Sequence, residues 1–97
     1  MKVVWSATAL THLTAIYEHI AKDSPRYALR MVDRLTSRSK QIARFPESGQ
    51  TVPEYADFTI REVIEGSYRI IYRVEPPRVV VVSVVHGAQI LPPDRPS

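Results

Sequence analysis

The first part of the chain repeats apolar residues at helical spacing. A short apolar segment from Lys2 to Trp5 predicts a strand, and Ser6 directly after it has a side chain that can cap a helix running to about Lys22. Apolar residues three or four positions apart predict one buried face on this helix. They are Ala9, Leu13, Ile16, Tyr17 and Ile20.

A second helix is predicted directly after the first. Ser24 can cap it, and Pro25 suits its first turn because the proline lacks an N–H that would have no partner there. The helix should end near Arg44, since Phe45-Pro46 stops it, and a loop should follow over residues 47–54. The short link predicts an αα-hairpin. The inward stripe comprises Ala28, Val32, Leu35, Ser39 and Ile42, with Met31 beside it.

From Phe58 onward the apolar period changes from helical to two. This alternation predicts strands over Phe58–Ile64 and Tyr68–Val74, joined by the turn Glu65-Gly66-Ser67. Pro76-Pro77 predicts the next turn, and Arg78–His86 the last strand. Because that last segment is almost unbroken valine, we expect it to lie centrally and to be covered on both faces.

The element order is therefore β-α-α-β-β-β, which predicts an α+β fold. A two-helix hairpin packed on one face of a small, mostly antiparallel sheet would bury both apolar surfaces. With 97 residues we expect a single domain over residues 1–91, followed by a frayed proline-rich tail over residues 92–97.

Composition narrows the class of protein. Apolar residues make up 44% and charged residues 24%, as in ordinary globular domains. The absence of cysteine excludes disulfides and thiolate metal sites. His12 and His19 lie seven positions apart and could share a helix face, but two exposed histidines are the simpler interpretation. With no signal peptide and no long apolar segment, we expect a cytoplasmic protein with no membrane partner, metal or cofactor.

The formal charge of +3 suits contact with an anion, either nucleic acid or an acidic protein. A row of arginines at i, i+4 spacing on the second helix could form such a docking surface. The row could instead be a solvated helix face on which the nearby Asp23 and Asp33 reduce the repulsion between the arginines, and we favour this interpretation. The row comprises Arg26, Arg30, Arg34 and Arg38.

The register of the predicted hairpin decides which face of the sheet a second set of arginines occupies. If Ile64 pairs with Tyr68 across a three-residue turn, Arg61, Arg69 and Arg73 share the sheet face away from the helices. A shift by one residue would place apolar side chains opposite arginines, so we prefer the first register. Two interpretations of the cluster stay open: a surface that binds an anionic partner, or three solvated arginines.

Several short motifs, in this order and spacing, resemble the ParE/RelE toxin superfamily of type II toxin–antitoxin systems. The resemblance extends to about Leu91. The motifs are Trp5-Ser6, Ser24-Pro25 with Ala28, Phe45-Pro46-Glu47-Ser48-Gly49, Arg61-Glu62-Val63, residues 66–74 (GSYRIIYRV) and residues 84–88 (VVHGA).

The resemblance implies a shared fold, an antitoxin partner and one of two activities. RelE-like members cut messenger RNA on the ribosome, whereas ParE-like members poison DNA gyrase by trapping its cleaved-DNA state.

By resemblance, Arg61, Arg69 and His86 would be the nuclease residues, with His86 as the acid or base. The chain departs from the nucleases after His86, where no Tyr, Lys or His follows. Its long helices and its Val-His-Gly-Ala ending look more like the ParE branch.

We therefore expect a gyrase-inhibiting toxin that has no catalytic residues and is neutralised by a cognate antitoxin. Arg61, Arg69 and Arg73 would face the target or the antitoxin. One alternative is a ribosome-dependent mRNA endonuclease that uses Arg61, Arg69 and His86. A second is a non-toxic module that binds protein or RNA. A homodimer and a hetero-oligomer with the antitoxin are both compatible with the sequence.

Overall fold

Two helices lie on one face of a five-stranded sheet, which confirms the predicted α+β fold and element order. The structure is a computed structural model that describes residues 1–89 and residue 91. The strand order is β1-β5-β4-β3-β2; β1 runs parallel to β5, and the other pairs are antiparallel. The elements are β1 Lys2–Trp5, α1 Ala7–Ala21, α2 Pro25–Arg44, β2 Gln50–Thr51, β3 Ile60–Glu65, β4 Tyr68–Glu75 and β5 Arg78–His86.

Both helices begin where the capping residues predicted. The Ser6 hydroxyl accepts a hydrogen bond from the Ala9 N–H at 3.0 Å, and the Ser24 hydroxyl accepts one from the Tyr27 N–H at 3.2 Å. Each bond satisfies an N–H of the first turn that has no partner within the helix. None of the described helices is long and apolar enough to cross a membrane.

The sheet has a buried apolar cluster on each face. The helix-side cluster lies beneath α1 and α2; its sheet residues are Val63, Ile70, Tyr72, Val79, Val81 and Val84. On the outer face, a second cluster is closed by Val52 from the segment before β3 and by Leu91. Its strand residues are Ile60, Ile71, Val80, Val82 and Val85. This two-sided burial explains why β5 is nearly all valine, and it confirms that β5 is an interior strand.

A bulge in β5 sets which valines face the helices. Tyr72 pairs with Val81 while Ile71 pairs with Ser83, so Val82 is one residue more than β4 can match. The extra residue changes the alternation, and Val81 and Val84 both join the helix-side cluster.

The preferred hairpin register was wrong. Ile64 pairs with Arg69, Glu65 pairs with Tyr68, and only Gly66 and Ser67 form the turn. Gly66 adopts a φ of 60°, which glycine tolerates and which a tight two-residue turn between twisted strands favours. The turn geometry therefore outweighs the apolar alternation on which the predicted register was based.

Other differences lie around the loop before β3. This segment contains the two-residue strand β2, which pairs with β3 and which no periodic pattern can indicate over so short a length. The strand β3 begins at Ile60 rather than at Phe58, whose side chain is 84% exposed. Leu91 is buried, and the tail predicted over residues 92–97 lies outside the described residues.

Candidate functional site

The observed register separates the three arginines that were predicted to share a surface. Arg61 lies opposite Tyr72, so it stands on the helix-covered face. Arg69 and Arg73 alternate with Ile70 and Tyr72 along β4 and therefore stand on the outer face. The predicted cluster of three does not form, because the one-residue shift carries Arg61 to the opposite side.

Arg69 is buried among carboxylates rather than presented to solvent. Its side chain is 7% exposed. The guanidinium makes two parallel bonds of 2.9 Å to the oxygens of Glu54, and its Nε and Nη2 both donate to Glu62, the former at 3.0 Å. Nη1 also donates to the Gln89 carbonyl at 3.3 Å. These contacts engage all five N–H groups of the guanidinium, so none remains for a phosphate or another ligand.

The cluster of Arg69, Glu54 and Glu62 joins three segments of the chain. Glu54 lies in the loop before β3, and Glu62 lies within β3. Glu54 also accepts a hydrogen bond from the Leu91 N–H at 3.2 Å. Hydrogen bonds from Arg69 lower the pKa of Glu54 to about 2, and both carboxylates raise the pKa of Arg69. Glu54 and Arg69 therefore stay ionised at neutral pH, and their contacts serve the fold.

Arg61 also has a structural partner. Its Nη1 donates to the Gly49 carbonyl at 2.9 Å. On the same face, the Tyr72 hydroxyl accepts from the Gly49 N–H at 3.0 Å and donates to the Pro46 carbonyl at 2.8 Å. A Cβ on Gly49 would lie 2.4 Å from that hydroxyl and 2.6 Å from the Glu62 carbonyl. The Pro-Glu-Ser-Gly segment is thus fixed to the sheet by close backbone packing.

Of the two arginines of the predicted cluster that lie on the outer face, Arg73 is the one that solvent reaches. Its side chain is 30% exposed, and its Nε donates to Glu75. Arg78 donates to the same carboxylate at 3.1 Å. Hydrogen bonds from Arg73 and then Arg78 lower the pKa of Glu75. Solvent therefore reaches this network, whereas the cluster around Arg69 is buried.

A groove of about 390 Å³ between α1 and the end of β5 brings the three histidines together. The Nδ1 of His12 accepts from the Val84 N–H at 3.2 Å, and the Nδ1 of His86 accepts from the Ala88 N–H at 3.3 Å. Since Nδ1 accepts in both rings, their neutral forms carry the proton on Nε2. The Tyr68 ring meets that of His86 edge-on, with centroids 6.0 Å apart. His19 also lines the groove.

Sequence reasoning missed this convergence because it requires α1 to pack against β5. His19 is exposed as predicted, whereas the prediction for His12 was wrong, since it is half-buried and hydrogen-bonded to β5. Within residues 1–89 and 91, no group of three or more His, Cys, Asp or Glu side chains is arranged to hold a metal ion.

The residues that the resemblance assigns to a nuclease are not brought together. Arg69 faces the outer side of the sheet, whereas His86 contacts Tyr68 on the helix side. Arg61 lies on the helix side but level with Tyr72, four residues along β4 from Tyr68. At the rise of an antiparallel strand, this separates Arg61 from the His86 end of the sheet by about 13 Å.

Solved structures with a similar fold include two from toxin–antitoxin systems. One is that of the chromosomal ParDE toxin–antitoxin system from P. aeruginosa, with a TM-score of 0.74 and 21% identity, covering 89% of this chain and 95% of that one. The other is that of the toxin–antitoxin complex RelBE2 from Mycobacterium tuberculosis, with a TM-score of 0.56 and 22% identity, covering 88% and 95%. At these identities the likeness shows the fold.

Comparison of the sequence itself shows the family. The chain is 38% identical to Toxin RelE2 of Caulobacter vibrioides over 90 residues, which is 92% of this chain and 98% of that protein. The family described as the ParE toxin of the type II toxin–antitoxin system parDE matches residues 3–91. These residues include every helix and strand of the described structure except the first residue of β1, Lys2. The chain therefore belongs to the ParE toxin family of type II toxin–antitoxin systems.

Proposed function

We propose that this toxin inhibits DNA gyrase by trapping the cleaved-DNA complex, and that it acts in the cytoplasm until a cognate antitoxin neutralises it. The observation that carries the proposal is the burial of Arg69. All five of its N–H groups already donate within the chain, to Glu54, Glu62 and Gln89. Because Arg69 has no N–H group left to stabilise a phosphate, it is not available as a catalytic cation. This favours a toxin that acts by binding its target.

The separation of the remaining candidates supports the same conclusion. Cleavage of RNA at a 2′-hydroxyl needs a base, an acid and cations around one phosphate. Arg61 and His86 stand about 13 Å apart along the sheet. Arg69 lies on the opposite face, and freeing it would leave two carboxylates without their cation. A gyrase poison requires none of these residues to converge.

An antitoxin partner follows from the same family. The two similar folds come from a ParDE toxin–antitoxin system and a RelBE2 toxin–antitoxin complex. We propose that this chain likewise forms a complex with an antitoxin, and that the complex suppresses its toxicity. Co-expression with the neighbouring antitoxin gene should restore growth, and failure of every candidate neighbour to do so would reject this part of the proposal.

The test is a supercoiling and cleavage assay with purified gyrase, ATP, plasmid DNA and the purified chain. We expect loss of supercoiling and accumulation of linear, protein-linked DNA, and addition of the antitoxin should reverse both. Unimpaired gyrase, in a preparation that still arrests growth when expressed, would reject gyrase as the target.

A second candidate function is ribosome-dependent cleavage of messenger RNA. The histidine groove favours it, because His12 and His86 each direct one imidazole nitrogen to backbone and leave the other to exchange a proton. The relative at 38% identity is named Toxin RelE2. Primer extension on ribosome-bound messenger RNA tests this candidate. Cleavage that is lost in His86→Ala and His12→Ala, in folded protein, would favour it over gyrase inhibition.

A further inference from the structure

The positive charge of the chain is concentrated on α2. Six of its thirteen Lys and Arg residues lie in this helix, with one of its ten Asp and Glu residues. The helix therefore carries a formal charge of +5. The other residues comprise seven cationic and nine acidic side chains, a formal charge of −2, which together give the chain its +3. The basic excess of this protein is a property of one helix.

Four of these cations form what we call the basic face, namely Arg26, Arg30, Lys40 and Arg44. All four are exposed, and the described residues show no ion pair for any of them. Arg34 and Arg38 stand at the edge of this face and contact Glu65, Arg34 at 2.7 Å and Arg38 at 4.0 Å. The only acid on the helix is Asp33, which helix geometry places on the same side between Arg30 and Lys40, so the cations of the basic face outnumber it four to one. Like charges held together in this way are mutually repulsive unless an anion covers them.

The basic face runs the length of α2. Arg26 and Arg44 are separated by about five turns, so they project from the same side and lie about 27 Å apart. Arg30 and Lys40 flank the line between them. On the opposite side of the helix, Ala28, Leu35 and Ile42 are buried against the core. The packing of α2 therefore fixes the orientation of the basic face, which can contact an extended anion.

The chemistry of the basic face favours nucleic acid over an acidic protein. Protein interfaces have a central region depleted of charge, whereas interfaces with DNA are more polar and far more positive. Here the exposed apolar side chains on α2 are Leu29 and Tyr27, which are 57% and 43% exposed. Tyr27 is the exposed aromatic ring within α2, and the ring of Phe45, the residue directly after the helix, lies 5.8 Å from the Arg44 guanidinium. Two rings at opposite ends of the helix do not form the row of aromatic rings on which single-stranded ligands usually stack successive bases.

We propose that the basic face of α2 binds the phosphate backbone of duplex DNA. Such contact is independent of base sequence, because cationic side chains that meet phosphates read charge and shape. In the poisoned gyrase complex, the DNA held by gyrase would be the ligand; that placement rests on the proposed function. DNA binding by the purified chain does not depend on it.

The test measures binding of the purified chain to a short labelled duplex by fluorescence anisotropy over a series of salt concentrations. One variant is Arg26→Gln/Arg30→Gln. The matched control is Lys2→Gln/Arg78→Gln, which removes the same charge from two residues aligned on β1 and β5. Circular dichroism and an unfolding curve for each variant confirm that α2 is intact.

We expect the logarithm of the wild-type association constant to fall linearly with the logarithm of salt concentration. Each lost phosphate contact reduces the slope by about 0.9, so Arg26→Gln/Arg30→Gln should be shallower by about 1.8 and the control unchanged. Absence of binding at low salt, or equal losses in both variants, would overturn the proposal. Competition by poly-glutamate as strong as by unlabelled duplex would assign the basic face to an acidic protein instead.

The duplex-binding test and the gyrase test can fail independently of each other. Duplex binding with the expected salt slope, together with unaffected gyrase, would reject the proposed target and retain the basic face. Trapped gyrase complexes without duplex binding would retain the target and reject the basic face.

Discussion

Arg69 on the sheet and Arg30 on α2 have the same side chain and opposite roles. Arg69 is 6% exposed and donates all its N–H groups to two glutamates and a backbone carbonyl. Arg30 is exposed, and no ion pair is described for it. Burial without partners would be prohibitive for a guanidinium, so Arg69 is tied to Glu54 and Glu62. The contrast shows that burial and partners, rather than residue type, decide which arginines can meet a target.

The largest effect should follow removal of Arg69. Arg69→Met should lower the free energy of unfolding by about 3–5 kcal/mol, because Glu54 and Glu62 lose their cation in a largely buried site. Urea denaturation measures the change. Arg69→Met/Glu54→Gln/Glu62→Gln should recover most of the loss, since it removes the unpaired charges as well. A loss for Arg69→Met no larger than that for the exposed Arg73→Met would contradict a buried structural cluster.

A smaller loss should accompany acidification, because protonating Glu54 removes one of the carboxylate charges that partner Arg69. The pKa of Glu54 is lowered from 4.5 to about 2, chiefly by the hydrogen bonds from Arg69. Its contribution to stability is therefore present above pH 4.5 and is lost as the pH falls toward 2, because the unfolded chain binds about one more proton there. Unfolding curves across this range should have a shallower pH dependence in Glu54→Gln. If the free energy of unfolding depended on pH identically in the wild type and in Glu54→Gln, the loss at low pH could not be assigned to Glu54.

Gly49→Ala tests the close packing on the helix side of the sheet. The added methyl group would meet the Tyr72 hydroxyl and the Glu62 carbonyl at 2.4 and 2.6 Å, so we expect a loss of about 1–3 kcal/mol. Gly87→Ala is the matched control, because its nearest contact is 3.3 Å, to the Ser67 carbonyl. Thermal unfolding compares the two variants. Equal stability would mean that the Gly49 segment relaxes without cost.

The smallest effect should come from the exposed ion pair between Arg34 and Glu65. Arg34 donates to Glu65 through Nε at 3.1 Å and Nη2 at 2.7 Å, but its side chain is 42% exposed. A double-mutant cycle with Arg34→Ala and Glu65→Ala should give a coupling of about 0.2–1 kcal/mol. A coupling as large as the loss in Arg69→Met would show that geometry, rather than burial, sets the strength of these pairs.

The helices, the order of elements along the chain and the interior position of β5 could be predicted because their signals are local. Ser6 and Ser24 cap the helices that follow them, and the valines of β5 indicate an interior strand. The hairpin register could not be predicted from apolar alternation, because the outer face buries charge as well as apolar surface. Glu62 pairs with the buried Arg69 on the outer face, whereas the predicted register placed Arg69 on that face and Glu62 on the helix side.

The candidate sites depended on contacts between distant segments. Glu54, the partner of Arg69, comes from a loop without a periodic pattern. His12 and His86 line the same groove only because α1 packs on β5. By contrast, the arginine row of α2 follows from the i, i+4 spacing of its residues along one helix. Spacing does not show whether other segments neutralise the row, and the described ion pairs leave Arg26 and Arg30 without one.

The central claim is that this toxin acts by binding gyrase and uses no acid or base of its own. It is tested most directly by the gyrase cleavage assay with wild-type protein and His86→Ala in parallel, each also incubated with ribosome-bound messenger RNA. We predict protein-linked linear DNA of equal amount with both proteins and intact messenger RNA in every reaction. Messenger RNA cut by the wild type but not by His86→Ala, with gyrase unaffected by either, would contradict the account.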